Sequence, residues 1–265
     1  MKIDRNALCP CQSGLKFKKC CRMNPDRIEA ANSLNAQYID RDYVFSNLKQ
    51  RSTKMAQFLD AVPSEIVQLL WIFVNPKLNA NMRSLAGFGH FAIIVKQLPI
   101  AEENFFDFSH EIGHIILGMM NYPLAEIVSG DMSLVSLATV LTNTIMDPLV
   151  NSLVVQSGFD LTEYMRKAIR IQSPMIKSIP HDTIENRHFL RCLCIEKLLE
   201  WRILNIPLEN AFLPVFQQYH PDEYAFAAEF VDSLNIHRLN DPQYVRDELY
   251  RLITENQMQN TLRLR

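Results

Sequence analysis

The sequence predicts a mainly α protein with a small β-sheet, and three observations lead to that class. Only seven glycines occur in 265 residues, five of them between Gly87 and Gly130. Elsewhere the apolar residues recur mostly at helical spacing, in segments punctuated by prolines. A single run, Phe91-Ala92-Ile93-Ile94-Val95, stands behind two glycines and reads as a strand within Gly87 to Lys96.

The elements follow in order. Asn24-Pro25 closes a cysteine-rich start, and Asp26 to about Leu48 reads as helix. Ser64 to Val74 is strongly apolar, with Ile66, Leu69, Leu70 and Phe73 at helical spacing, and is also expected as helix. A helix from about Glu102 to Met119 follows the strand. Two more are expected at Leu134–Met146 and Pro148–Gln156, divided by Asp147-Pro148. Asp182 and Glu185 make a capping-box-like start for a long helix reaching Ile203, with Leu190, Leu193, Cys194, Leu198 and Trp201 inside. Pro221 to Leu234 and Asp241 to about Gln257 close the chain.

Composition bounds the rest. With 27 basic and 29 acidic residues, the net charge of −2 gives no sign of general affinity for nucleic acid or anionic membrane. Met1-Lys2-Ile3-Asp4-Arg5 has no apolar run and does not read as a signal peptide. The most apolar stretch, Ser133 to Val155, carries Asn143, Asp147, Pro148 and Asn151, which argues for buried helices rather than a membrane span. Cytoplasmic residence with reduced thiols is expected. Cys192 and Cys194 point to different faces of one helix and read as small core residues.

His110-Glu111-Ile112-Gly113-His114 is the most informative stretch. Residues four apart on a helix lie nearly above one another, so both imidazoles can reach one metal ion. Glu111 then sits on an adjoining face, placed to handle the proton of a metal-bound water. Phe105, Phe106 and Phe108 precede the pair, Ile115, Ile116 and Leu117 follow it, and no Asp, Glu, Lys or Arg occurs from Ile112 to Tyr122. The bland alternative is a core helix carrying two satisfied histidines. Against it stands Glu111, because a carboxylate in so apolar a segment is costly to bury without a partner or a task.

The segment Phe105-Phe106-Asp107-Phe108-Ser109-His110-Glu111-Ile112-Gly113-His114-Ile115-Ile116-Leu117-Gly118 resembles the ImmA/IrrE-type metallopeptidases, which read Phe-x-x-Ala-His-Glu-Leu-Gly-His followed by aliphatics. Ser109 departs from the usual Ala. The resemblance fades within a few dozen residues on either side. It implies a zincin-like helical domain, in which an edge strand pairs with an extended substrate peptide beside the metal.

A catalytic zinc needs a third protein ligand and an open position. No downstream His-x-x-Gly-x-x-His exists, which excludes the three-histidine arrangement. Asp147 is the only acid between Met132 and Phe159, and an acid alone in that setting wants a cation. It equally suits a helix cap, with Pro148 at the first helical position. Glu126 is the other candidate ligand, or else an acid on an exposed turn. Asn143 and Asn151 are candidates to orient the ligand. His188, Tyr164, His181 and His90 are unranked candidates for stabilising a developing oxyanion.

Near the N-terminus, Cys9, Cys11, Cys20 and Cys21 fall within thirteen positions. Two thiolate pairs joined by a short loop can close around one tetrahedral Zn²⁺, with Gly14 supplying the turn and Pro10 stiffening the first pair. Disulfides are the competing reading, but adjacent cysteines would make a cramped framework. Arg5 to Arg22 resembles the SEC-C motif, a zinc knuckle found at the end of the bacterial preprotein-translocase motor and appended to many other bacterial proteins. The family's Cys-Pro-Cys-Gly-Ser-Gly-Lys-Lys-Tyr-Lys-Lys-Cys-Cys pattern is departed from at Gln12, Leu15 and Phe17. The resemblance implies that Cys9, Cys11, Cys20 and Cys21 are the zinc ligands. It also implies that the knuckle, with its basic Lys16, Lys18, Lys19 and Arg22, is a docking surface.

The expected organisation is a knuckle at 1–24 and a helical zincin-like domain at 25–265, with the metal-site core near 85–160 and a helical part at 161–265. Two functions compete. One is a zinc metallopeptidase with Glu111 as general base, acting on a protein or peptide. The other is a non-catalytic zinc-binding interaction module that keeps a zincin-like frame.

Overall fold

The computed structural model describes residues 4–87, 89–128, 131–204 and 212–265. It divides into two compact units. The first comprises Met1–Ile116 with Ser157–Phe159, and the second Leu117–Gln156 with Asp160–Arg265. Eleven α-helices and six strands occur among the described residues.

In chain order the first unit holds α1 (Pro25–Ser33), β1 (Gln37–Ile39), α2 (Arg41–Arg51), α3 (Thr53–Ala61), α4 (Ser64–Leu69), β2 (Leu70–Val74), β3 (Met82–Gly87), β4 (His90–Val95) and most of α5 (Phe105–Met119). The second unit holds the last turn of α5, β5 (Ala125–Ile127), α6 (Val135–Gln156), α7 (Leu161–Ser178), α8 (Ile184–Leu204), α9 (Phe212–Tyr219), α10 (Pro221–Ser233), α11 (Pro242–Glu255) and β6 (Leu262–Leu264).

The four-stranded sheet runs β1-β2-β4-β3. Strands β2 and β4 are parallel and central, whereas β1 and β3 lie antiparallel at the two edges. Tyr38, Trp71, Phe73, Ala92 and Ile94 pack on one face with Ala30 and the four N-terminal cysteines. Leu70, Ile72, Ile93 and Val95 alternate onto the other face and are also buried. Burial on both faces makes the central strands continuous apolar runs, Leu-Trp-Ile-Phe-Val and Phe-Ala-Ile-Ile-Val, rather than alternating ones.

That explains the largest correction to the expected elements. The helix expected over Ser64–Val74 ends at Leu69, and Leu70–Val74 is a central strand. A short all-apolar run has no period that separates strand from helix. The helix expected over Asp26–Leu48 is likewise split by β1, with Asp40 capping α2 through bonds from the Asp42 and Tyr43 amides. The expected strand at Gly87–Lys96 is present as β4, but it is central, so β3 is the edge strand.

In the second unit α8 is the core helix and packs chiefly on α6 and α10. The two helices expected on either side of Asp147-Pro148 are one continuous helix, α6, with Pro148 in its interior. Pro148 deprives one backbone carbonyl of its helical donor, a cost that burial of α6 on α8 outweighs. The cap of α8 is Thr183, whose hydroxyl accepts from the Asn186 amide at 3.1 Å, rather than Asp182. Trp201, expected inside, is 45% exposed. Cys192 and Cys194 are fully buried, as expected. Asp241, with Pro242 after it, caps α11 by accepting from the Gln243 amide.

No described helix is long and apolar enough to cross a membrane.

Candidate metal centres

Cys9, Cys11, Cys20 and Cys21 are all buried, and their sulfurs lie within 4.8 Å of one another. Backbone bonds bring them together. The Cys9 amide donates to Leu15, and the Gln12 amide donates to Cys9, closing the loop between the thiol pairs. Gly14 takes φ +74°, as the turn requires, and Gln12 takes φ 66°. An L side chain in that left-handed region costs about 1–2 kcal/mol, which accounts for glycine at this place in the motif pattern.

Cys11 and Cys20 approach to 3.4 Å, and the Ser13 hydroxyl reaches Cys20 at 3.2 Å. Burial pushes the Cys11 thiol up to about 11 and drives the Cys21 thiol upward as well. Thiolates gathered this closely repel one another, and a cation among them offsets that repulsion. The donor set and spacing fit one tetrahedral Zn²⁺. Residues 5–22 match the SEC-C motif. The SEC-C match covers this knuckle alone, and no curated protein and no solved structure matches the chain. The SEC-C knuckle is fastened to its unit by bonds from the Asp40 amide to the Cys11 carbonyl at 2.6 Å and from the Gln37 side chain to the Pro10 carbonyl at 2.9 Å.

The second centre begins on α5. Phe108, Ile112 and Ile115 bury one side of this helix, leaving His110, Glu111 and His114 half-buried. The ring nitrogens Nε2 of His110 and His114 converge to 3.0 Å, with the ring planes at 80°. Two imidazoles bound to one tetrahedral ion at about 2.0–2.1 Å need a similar separation. Ser109, where the peptidase pattern has Ala, is fully buried and turns its hydroxyl back to the Phe105 carbonyl at 3.0 Å. Its polarity is thereby satisfied within the helix. Glu111 Oε2 accepts the Ser84 backbone amide of β3 at 2.7 Å. Nothing in the sequence marked Ser84 for this role, because a backbone donor on an edge strand leaves no trace in side-chain identity.

Asp147 belongs to the second unit. It lies inside α6, so the capping role weighed from sequence is not the one it plays. Burial pushes the neighbouring Glu196 carboxyl up to about 8, the pull of Lys197 opposing it and the charges of Asp147 and Glu200 adding to it. Glu126 sits on β5 and is engaged by Arg263 and Arg265, each at 3.2 Å. Asn151 is buried and donates to Glu200 at 2.6 Å, and Asn143 is half-buried on the same helix.

The four candidate oxyanion donors are scattered. His90 stacks on Trp71 at 3.9 Å in the first unit. In the second, His188 is buried, Tyr164 lies on α7, and His181 contacts His220 at 2.8 Å. The sequence reading missed the buried charges of α8. Lys197 lies between Glu196 and Glu200, at 3.1 Å from the latter. Glu-Lys-x-x-Glu on a helix reads as a solvated face, and only the packing of α8 on both sides reveals otherwise.

Proposed function

We propose that this chain is a zinc-dependent peptidase whose SEC-C knuckle serves as a docking element. The observation that supports it most is the convergence of His110 and His114 on one helix, with Glu111 between them bonded to an edge strand. Asp147 is proposed as the third ligand, since a carboxylate with two imidazoles is the donor set a catalytic zinc takes. The commitment of Glu126 to two guanidiniums favours Asp147 over it.

When bound, zinc supplies Lewis acidity toward a scissile carbonyl and acidifies water. Glu111 has one carboxylate oxygen fixed by Ser84 and directs the other to the attacking water. It takes that water's proton and delivers it to the departing amine. The free edge of β3 offers backbone groups to a substrate in extended conformation. The substrate class is therefore an unfolded or looped segment of a protein, processed in the cytoplasm. The knuckle of 1–24 recruits it to the zincin-like domain of 25–265.

The competing reading, a non-catalytic zinc-binding interaction module, draws on the SEC-C match being confined to the knuckle. Incubation of the zinc-loaded chain with a complex peptide library separates the two. The parent is expected to cleave, and Glu111→Gln to keep its zinc and lose turnover by about 10²-fold or more. Equal cleavage by the two proteins removes the peptidase reading.

A further inference from the structure

We propose a further metal site in the second unit, formed by His181, His220 and Glu223 and suited to Zn²⁺ or a similar divalent transition ion. It is independent of the peptidase reading. His181 comes from the connection between α7 and α8, His220 precedes α10, and Glu223 lies in the first turn of α10. One donor atom from each residue lies within 4.8 Å of the other two.

His220 is 1% exposed, and its Nε2 lies 2.7 Å from the Ile176 carbonyl. A carbonyl only accepts, so Nε2 carries the proton and Nδ1 carries the lone pair. An imidazole oriented by a backbone carbonyl in this way is the usual arrangement of a metal-binding histidine. The Tyr219 carbonyl lies 2.9 Å from His181 Nε2, so that nitrogen also carries a proton. It faces His220 Nδ1 at 2.8 Å, and His181 Nδ1, on the side of Glu223, is the donor that ring offers an ion.

Glu223 is 2% exposed, and its ion-pair partner is His181 Nδ1 at 3.6 Å. That distance is too long for a hydrogen bond. The Glu223 carboxylate, buried beside the two rings, is a group that favours a cation as its neighbour. A divalent ion among the three residues would be held by the carboxylate and by one lone pair from each ring. Two nitrogens and one oxygen suit zinc. The His181 side chain is 46% exposed, which opens the site to solvent and leaves a position for water. Bound there, an ion ties the segment after α7 to the junction of α9 and α10.

The test is zinc content of the full-length chain after equilibrium dialysis, read by elemental mass spectrometry beside thermal unfolding. His181→Ala alters an exposed ring and is expected to keep the fold while binding one zinc fewer than the parent. The same loss is expected in a His110→Ala/His114→Ala background, which separates this site from the proposed catalytic one. Added Zn²⁺ is expected to raise the melting temperature of the parent more than that of His181→Ala. Glu223→Gln, nearly isosteric, is expected to weaken the third equivalent as well. Equal zinc content in parent and His181→Ala overturns the site, as does an unchanged affinity in Glu223→Gln.

Discussion

The Ser84 amide holds Glu111 at 2.7 Å, so the carboxylate of the His-Glu-x-x-His helix is tied to the edge strand of the sheet. In the proposed peptidase, the other carboxylate oxygen is the one that would handle the water's proton. Ser84→Pro deletes that donor at an edge position, where proline is tolerated. We expect the fold and zinc content to be retained and turnover to fall roughly 10-fold, the value of one hydrogen bond to a charged group. Steady-state kinetics on a cleaved peptide measures it, and unchanged kcat/KM would mean that the amide does not orient Glu111.

The third ligand can be decided by zinc counting. Asp147→Asn is expected to lose one zinc equivalent, whereas Glu126→Gln keeps it and gives up only surface ion pairing with Arg263 and Arg265. Such pairing contributes about 0–1 kcal/mol. The reverse pattern would transfer the role to Glu126.

The cysteine cluster shares its burial with Trp71, which is 5% exposed, while Trp201 is already 45% exposed. Removing zinc with a strong chelator should therefore shift fluorescence to the red through Trp71. Cys20→Ser should show the shifted spectrum without chelator. A spectrum indifferent to chelation would mean that the sheet face stays covered without metal.

Lys197 is buried between two carboxylates. Lys197→Met leaves Glu196 and Glu200 without their cation and is expected to destabilise the fold by about 3–5 kcal/mol. Restoring neutrality with Glu200→Gln in the same chain should recover part of it. Urea unfolding of the single and double variants gives both numbers.

Burial pushes His188 down to about 4, with the nearby Arg191 charge acting in the same direction. The unfolded chain protonates this ring near pH 6.5, before the folded protein does. Stability from this group is therefore complete above about pH 6.5 and declines as pH falls toward 4, by up to about 3 kcal/mol. His188→Gln should flatten that slope. Urea midpoints at neutral pH and at about pH 5 reveal whether it does.

Legibility in the sequence followed physical period. The helical spacing of His110 and His114, the Asp241-Pro242 cap and the two thiol pairs were readable because each depends on a few neighbouring residues. Leu70–Val74 was not, because a strand buried on both faces has no alternation to read. Met82–Gly87 was also missed, although its Ser84 amide reaches the central carboxylate of the motif, since an edge strand borrows its order from β4. Asp147-Pro148 looked like a helix start because local rules favour a cap, and only packing of α6 on α8 keeps the helix unbroken there. His181, His220 and Glu223 come from separated segments, and no local pattern announces their meeting.

The thiol cluster and the aromatic face of the sheet form a single apolar body, joined through Asp40 to Cys11 and Gln37 to Pro10. A partner gripping Lys16, Lys18 or Lys19 would therefore take hold of a rigid handle rather than a bead on a string. Its bearing toward the β3 edge would be fixed in advance, without the entropy that a swinging tether must surrender on capture.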